Sequence, residues 1–308
     1  MPAPRCSNFA RAEDLDPVGS AGSYEGIILL EIPLPWPREI TEHHALASVA
    51  PALRSAGRRV QGLVPGATSA PDRRRLVSFT RPPGPFVSYE GREWTVPDGD
   101  VTEAVAALVD SEGAAAGPAN PANGEAPGRH VLVCTHGRRD TCCGTLGTRL
   151  ATSLPALDAD VPVWRTSHTG GHRFAPTGVL LPEGTLWAYL DRARLVGIAD
   201  RTLDVDEAAR LYRGCTGLDG PEVQAADREA LRAVGWSWLD HGRRGQVLEA
   251  ADGQTRVRLD AEAPDGQRRA FEATVVVARL VPVPDCGKPP EEAPKSAPEL
   301  RVSGFAAA

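Results

Sequence analysis

The residues with the greatest chemical capacity in this chain sit close together. "CTHGRRDTCCGTLG" runs from Cys134 to Gly147 and is followed by "SHTGGHRF", Ser167 to Phe174. These two stretches hold Cys134, Cys142, Cys143, His136, His168 and His172, out of 6 cysteines and 7 histidines in the whole chain. Thiolates and imidazoles are the ligands of zinc and of iron–sulfur centres, and a pair of thiols can also cycle through a disulfide. Four readings therefore compete. The residues are ordinary loop positions; or they hold a structural zinc ion; or Cys142 and Cys143 form a thiol redox pair; or two thiolates and two imidazoles hold an iron–sulfur centre.

Spacing narrows the field. His168 and His172 enclose Thr-Gly-Gly, and two successive glycines cost a helix on the order of 2 kcal/mol relative to alanine. The H-x-x-x-H element is therefore not helical, which removes a zincin site with its glutamate base on one helical face. Glycines instead let backbone approach a bulky group and offer it N–H donors. The short cysteine spacing common in structural zinc sites is missing here. Adjacent cysteines such as Cys142 and Cys143 close a disulfide ring only with strain.

The surrounding elements must bring the two stretches together. "HVLVCT" reads as a strand ending at Cys134, "GTLGTRLATSLPAL" as a helix opening beside Cys143, and "DVPVWRTS" as a strand leading to His168. Parallel neighbouring strands would place both loops at one edge of a sheet. Upstream, "GIILLEIP", "RVQGLV" and "RRLVSF" read as strands, "FVSYEGREWTV" as a hairpin turning at Glu90-Gly91, and "DVTEAVAALVD" as a helix. "HHALASVAPALRSAGR" is helical with an interruption at Pro51. The order repeats after the cluster strand, with a hairpin at Pro182-Glu183-Gly184 and helices from "DVDEAARLYRG" and "GPEVQAADREALRAVG".

The expected fold class is α/β: tandem thioredoxin-like units, each a mixed sheet covered by helices, with a small C-terminal antiparallel β appendage. The boundaries are a degenerate unit over 1–110, a Gly/Pro/Ala-rich linker over 111–129, the cluster-bearing unit over 130–236, a β meander over 237–286 and a disordered tail over 287–308.

Several motifs carry a resemblance to a known family. "CTHGRRDTCCG", "SHTGGHRFAPTGVLL" and "PDCG", with the weaker "CSNFA", "LPWP", "YRGCTGL" and Gln224, resemble the sucrase/ferredoxin-like family. Its members are thioredoxin-like proteins carrying a 2Fe-2S cluster. The resemblance implies that Cys134, Cys143, His168 and His172 are the cofactor ligands, that Cys142 is a bystander, and that His136 belongs to the shared loop without ligating. With two ligands on each iron, the three-residue gap suits His168 and His172 on one iron, leaving Cys134 and Cys143 for the other. Two neutral imidazoles make the centre easier to reduce than four thiolates do. Each keeps a ring nitrogen whose proton can exchange, so reduction should draw in protons. The implied function is electron transfer between redox donor and acceptor proteins that the sequence does not name. A zinc-binding module and an oxidoreductase using the cluster on its own substrate remain the alternatives. No carboxylate pair of the kind needed for glycoside hydrolysis can be picked out.

Bulk properties set outer limits. A net charge of -6 argues against a nucleic-acid partner. No apolar run approaches the roughly 18 residues of a membrane helix, and the first residues lack the apolar core of a signal peptide. The expectation is a cytoplasmic protein whose cysteines are thiols or ligands. Cys6, Cys215 and Cys286 lie far from the cluster and are expected to be packed thiols. Arg138, Arg139, Arg165 and Arg173 flank the ligands, either as a docking rim or as support. His43 and His44 form no metal site, because neighbours on a helix point about 100° apart.

Overall fold

The structure is a computed structural model describing residues 5–66, 69–110, 124–158, 161–251 and 253–308. A short N-terminal helix, α1 (Cys6–Ala12), precedes the first unit. That unit runs β1 (Gly26–Glu31), α2 (Ala50–Ser55), β2 (Arg58–Leu63), β3 (Arg73–Thr80), β4 (Glu90–Pro97) and α3 (Val101–Asp110). β1 is buried along its whole length, as a strand covered on both faces must be. Its alternate side chains enter separate cores: Ile27 and Leu29 go to one, Ile28 and Leu30 to the other, following the two-residue period of a strand.

The second unit runs β5 (His130–Cys134), α4 (Thr148–Ser153), β6 (Ala156–Asp158), β7 (Val161–Thr166), β8 (Gly178–Leu181), β9 (Thr185–Trp187), α5 (Arg192–Ala199), α6 (Val205–Leu211), β10 (Tyr212–Cys215) and α7 (Pro221–Val234). Pairing reveals the repeat. In the first unit β1 is parallel to β2 and antiparallel to β3, which is antiparallel to β4. In the second, β5 is parallel to β7 and antiparallel to β8, which is antiparallel to β9. The same order and directions occur twice.

The two halves share one sheet, in the order β10-β9-β8-β5-β7-β2-β1-β3-β4. Their junction is a single antiparallel pairing of Leu63 with Thr166. The corresponding strand of each repeat, β2 and β7, therefore meets at the centre.

β11 (Gly242–Ala251), β12 (Gln254–Glu262), β13 (Arg268–Pro282) and β14 (Ser296–Ala307) form a separate antiparallel sheet. It is anchored to α7 by a buried network. Asp227 accepts from Tyr212 at 2.6 Å, Trp238 at 2.8 Å and Arg243 at 3.2 Å, and the Arg243–Asp227 pair is fully buried.

Several local expectations change, among them the end of the helix read over "DVDEAARLYRG", where Tyr212 begins strand β10. Residues 287–308, read as a disordered tail, include β14, which pairs along β13 from Ser296 to Ala307 and buries Leu300. The proline- and charge-rich stretch before it does not prevent a strand whose backbone completes an existing ladder. No hairpin turns at Gly91; the residue lies within β4 opposite Phe79. A Cβ there would come within 2.8 Å of the Phe79 ring, so this glycine serves close approach. Pro51 lies in the first turn of α2, so it starts the helix instead of interrupting it. Most of the expected linker, 111–123, lies outside the described residues. Among the described residues no helix is long and apolar enough to cross a membrane.

Candidate metal centre

Parallel pairing of β5 and β7 sets Cys134 level with Thr166. The loops that follow both strands therefore emerge at the same sheet edge. The chain then turns into a helix through a π-helical turn, Cys143–Gly147, before α4. Close packing at this turn requires glycine: a Cβ on Gly147 would lie 1.9 Å from the Cys134 carbonyl oxygen. The second loop folds back through Gly170 and Gly171, both at positive φ, into a short turn from His172 to Phe174.

Cys134 and Cys143 are both buried. Hydrogen bonding from Cys143, and then from His168, pulls the Cys134 thiol well down against the opposing effect of burial. Cys143 is pushed up as the donor of that pair. His168 Nδ1 is buried with no hydrogen-bond partner among the described residues, and the His168 and His172 rings lie 6.2 Å apart, centroid to centroid. His172 Nδ1 meets Asp140 Oδ2 at 3.0 Å, leaving Nε2 as its available ring nitrogen. All four expected ligands thus gather at one edge.

Asp140 organises this edge. Its Oδ1 accepts from the backbone N–H groups of Cys142 at 2.8 Å and Cys143 at 3.2 Å. Burial, the largest single influence, disfavours its charge, but the hydrogen bond and charge of His172 and the Cys6 hydrogen bond together outweigh it and hold the carboxyl below its usual range. His136 has both ring nitrogens engaged: Nδ1 accepts from the His168 N–H at 3.2 Å and Nε2 lies 2.9 Å from the Pro37 carbonyl. Its ring packs edge-on to Trp36. His136 is thereby a brace between the "LPWP" loop and the cluster loop, with no nitrogen left for a metal.

The structure also brings in residues that sequence reasoning set aside. Cys6 and Cys286, expected to be remote packed thiols, lie against Cys142. Their Sγ separations are 3.7 Å for Cys6–Cys142, 3.0 Å for Cys142–Cys286 and 3.4 Å for Cys286–Cys6. Cys6 Sγ also lies 3.3 Å from Asp140 Oδ2 and 3.4 Å from His172 Nδ1. Donation from Cys286 and Cys6 pulls the Cys142 thiol down to about 2, while Cys286 rises to about 11 as the donor to Cys142. Cys215 does behave as a packed thiol: it is buried, and burial pushes it up to about 11.

Arg213, overlooked in the sequence, is fully buried beneath the His168–His172 loop. It donates to the Gly170 carbonyl at 3.2 Å and to the Ser20 carbonyl at 2.7 Å, and burial lowers it to about 10. The "YRG" motif was its only signal. Of the four flanking arginines, Arg138 alone is exposed. Arg139 pairs with Glu39, and Arg173 is buried over the Phe174 ring at 4.6 Å. A broad basic rim is therefore absent from these four positions.

The sucrase/ferredoxin-like family matches the chain over residues 17–214. No curated protein and no solved structure matches it.

Proposed function

The chain belongs to the sucrase/ferredoxin-like family, and from that premise we propose that it is a cytoplasmic electron-transfer protein holding one 2Fe-2S cluster. Cys134 and Cys143 would supply the thiolates, and His168 and His172 the imidazoles. The observation that carries this reading is the buried Nδ1 of His168, unpartnered among the described residues, on a side chain that also pulls the Cys134 thiol down. A buried polar atom without a partner costs roughly 1–3 kcal/mol, and a metal would satisfy it. A 2Fe-2S group bound here supplies one-electron redox chemistry.

The chain's own residues do the rest. Buried Cys134 and Cys143 exclude water from their side of the site. Asp140 fixes the His172 ring and holds a proton at Nδ1, the support that metal-bound imidazoles commonly receive. Burying Arg213 beneath the loop puts a positive charge near the thiolates. Donor and acceptor proteins would meet the edge carrying the half-buried His168 and His172. A thiol-rich site of this kind suits a reducing compartment.

Anaerobic purification followed by visible spectroscopy and iron and sulfide analysis tests the reading. The expected protein is coloured, bleaches with dithionite and holds about two irons and two sulfides per chain. A colourless protein containing zinc alone would leave the binding-module alternative in its place. If both imidazoles are ligands, the midpoint potential should fall as pH rises, by up to about 59 mV per unit for one proton per electron. A potential constant from mildly acidic to strongly alkaline pH would remove the histidines from the ligand set.

A further inference from the structure

A second group of ligand-type atoms lies beside the first and shares no residue with Cys134, Cys143, His168 and His172. Cys6 Sγ, Cys142 Sγ, Cys286 Sγ and an Asp140 carboxylate oxygen all lie within 4.8 Å of one another. Three distant parts of the chain supply the thiols: the first residue of α1, the entry to the cluster helix and the segment between β13 and β14. Cys6 and Cys286 both fall outside the stretch that matches the family.

The geometry suits one tetrahedral ion. Zinc binds thiolate sulfur at about 2.3 Å, which places the sulfurs of a tetrahedron about 3.8 Å apart. The observed edges of 3.7, 3.4 and 3.0 Å run from that length to about 0.8 Å below it, so Cys286 must move outward from Cys142 to seat the ion. A carboxylate oxygen of Asp140 lies within 4.8 Å of all three sulfurs, with Oδ2 3.3 Å from Cys6 Sγ, and so is placed to supply the fourth ligand. A disulfide does not account for the group, because any pairing of three mutually close thiols leaves one over. Three thiolates with one carboxylate select a borderline-soft dication, zinc above magnesium or calcium.

The environment is prepared for anionic sulfur. Ser7 Oγ donates to Cys142 Sγ at 3.1 Å, and the Cys142 N–H holds Asp140 Oδ1 at 2.8 Å. Cys6, Asp140 and Cys142 are buried and Cys286 is half-buried, and four protein ligands fill a tetrahedron, leaving no coordination position for a substrate. Closed sites of this kind are structural.

We infer that Cys6, Cys142, Cys286 and Asp140 form a mononuclear zinc site, separate from the redox centre, that clasps α1 and the C-terminal segment onto the cluster loop. Through the Asp140–His172 hydrogen bond it also fixes the orientation of a proposed redox ligand. Cys142 thereby gains a role that its neighbour Cys143 does not share.

The test measures both metals in the full-length chain, purified anaerobically from zinc-containing medium. The expected result is about one zinc per chain alongside the iron, with zinc-edge X-ray absorption showing three sulfurs and one lighter ligand. Cys286→Ser should lose most of its zinc and keep its iron and visible spectrum, whereas Cys143→Ala should lose iron and keep zinc. The two metals are counted separately, so failure of the redox reading and failure of this one are distinguishable. Wild-type protein without zinc overturns the inference. So does zinc with fewer than three sulfurs, undiminished zinc in Cys286→Ser, or a disulfide among the three cysteines in the mass spectrum. Should Cys286→Ser fail to fold, the wild-type zinc count and sulfur number decide alone.

Discussion

At the scale of single residues, the vicinal cysteines Cys142 and Cys143 differ because the helical turn sends their side chains to different neighbours. Cys143 packs with Cys134 in the buried thiol cluster, and Cys142 faces Cys6 and Cys286. Each group, as metal-free thiols, concentrates charge on one sulfur, Cys134 in the first and Cys142 in the second, because its neighbours donate to it. Replacing Cys134 or Cys143 with alanine should therefore give iron-free, colourless protein. Cys142→Ala should retain the full iron complement. Iron analysis beside the visible spectrum checks both, and an iron-free Cys142→Ala next to a coloured Cys143→Ala would reverse the ligand assignment.

At the scale of elements, the site depends on how closely β5 approaches the helix after it. Gly147 is buried against the Cys134 carbonyl, with 1.9 Å available to a Cβ. Real side-chain carbons do not come that near backbone oxygen, so the π-helical turn must move to accept a methyl group. Gly147→Ala should destabilise the protein by about 1–3 kcal/mol, as overpacking does. Displacing Cys143 from Cys134 should also lower iron occupancy. Urea unfolding and iron analysis read the two effects separately, and a variant with unchanged stability and full iron would contradict the packing argument. Gly171 plays the same part in the other loop, where a Cβ would meet the Arg213 guanidinium at 2.6 Å.

At the scale of the whole molecule, one sheet runs through both repeats, so a group buried near their junction reports on global folding. His130 on β5 is 3% exposed. Its Nδ1 accepts from Trp164 Nε1 at 3.1 Å. Burial, then the charge of Arg75, lowers His130 from 6.5 to about 4. The unfolded chain thus takes up a proton at higher pH than the folded one. Stability from this group is fully present above about 6.5, declines as pH falls, and levels off below about 4. The loss amounts to about 3 kcal/mol at most. His130→Gln keeps an acceptor for Trp164 without titrating, so its unfolding free energy should fall less steeply between pH 7 and 4.5. Parallel curves for the two proteins would show that His130 does not contribute.

Much of the fold was legible from local pattern. Apolar runs such as "GIILLE" and "HVLVC" mark strands buried on both faces, and Pro182-Glu183-Gly184 marks the turn between β8 and β9. The repeated order of elements foretold two similar units, and strand-then-loop spacing foretold that Cys134, Cys143, His168 and His172 would share an edge. Those signals are local in the chain: the alternation of apolar residues, turn chemistry and short spacing. The convergence of Cys6, Cys142 and Cys286 carries no such signal, because Cys6 and Cys286 are 280 positions apart. Arg213 likewise looks like any exposed arginine until the loop above it closes. The strand β14 reads as part of a tail because it follows a proline- and charge-rich stretch and its order comes from pairing with β13. Long-range pairing and burial decide these features, and both arise only when distant segments meet.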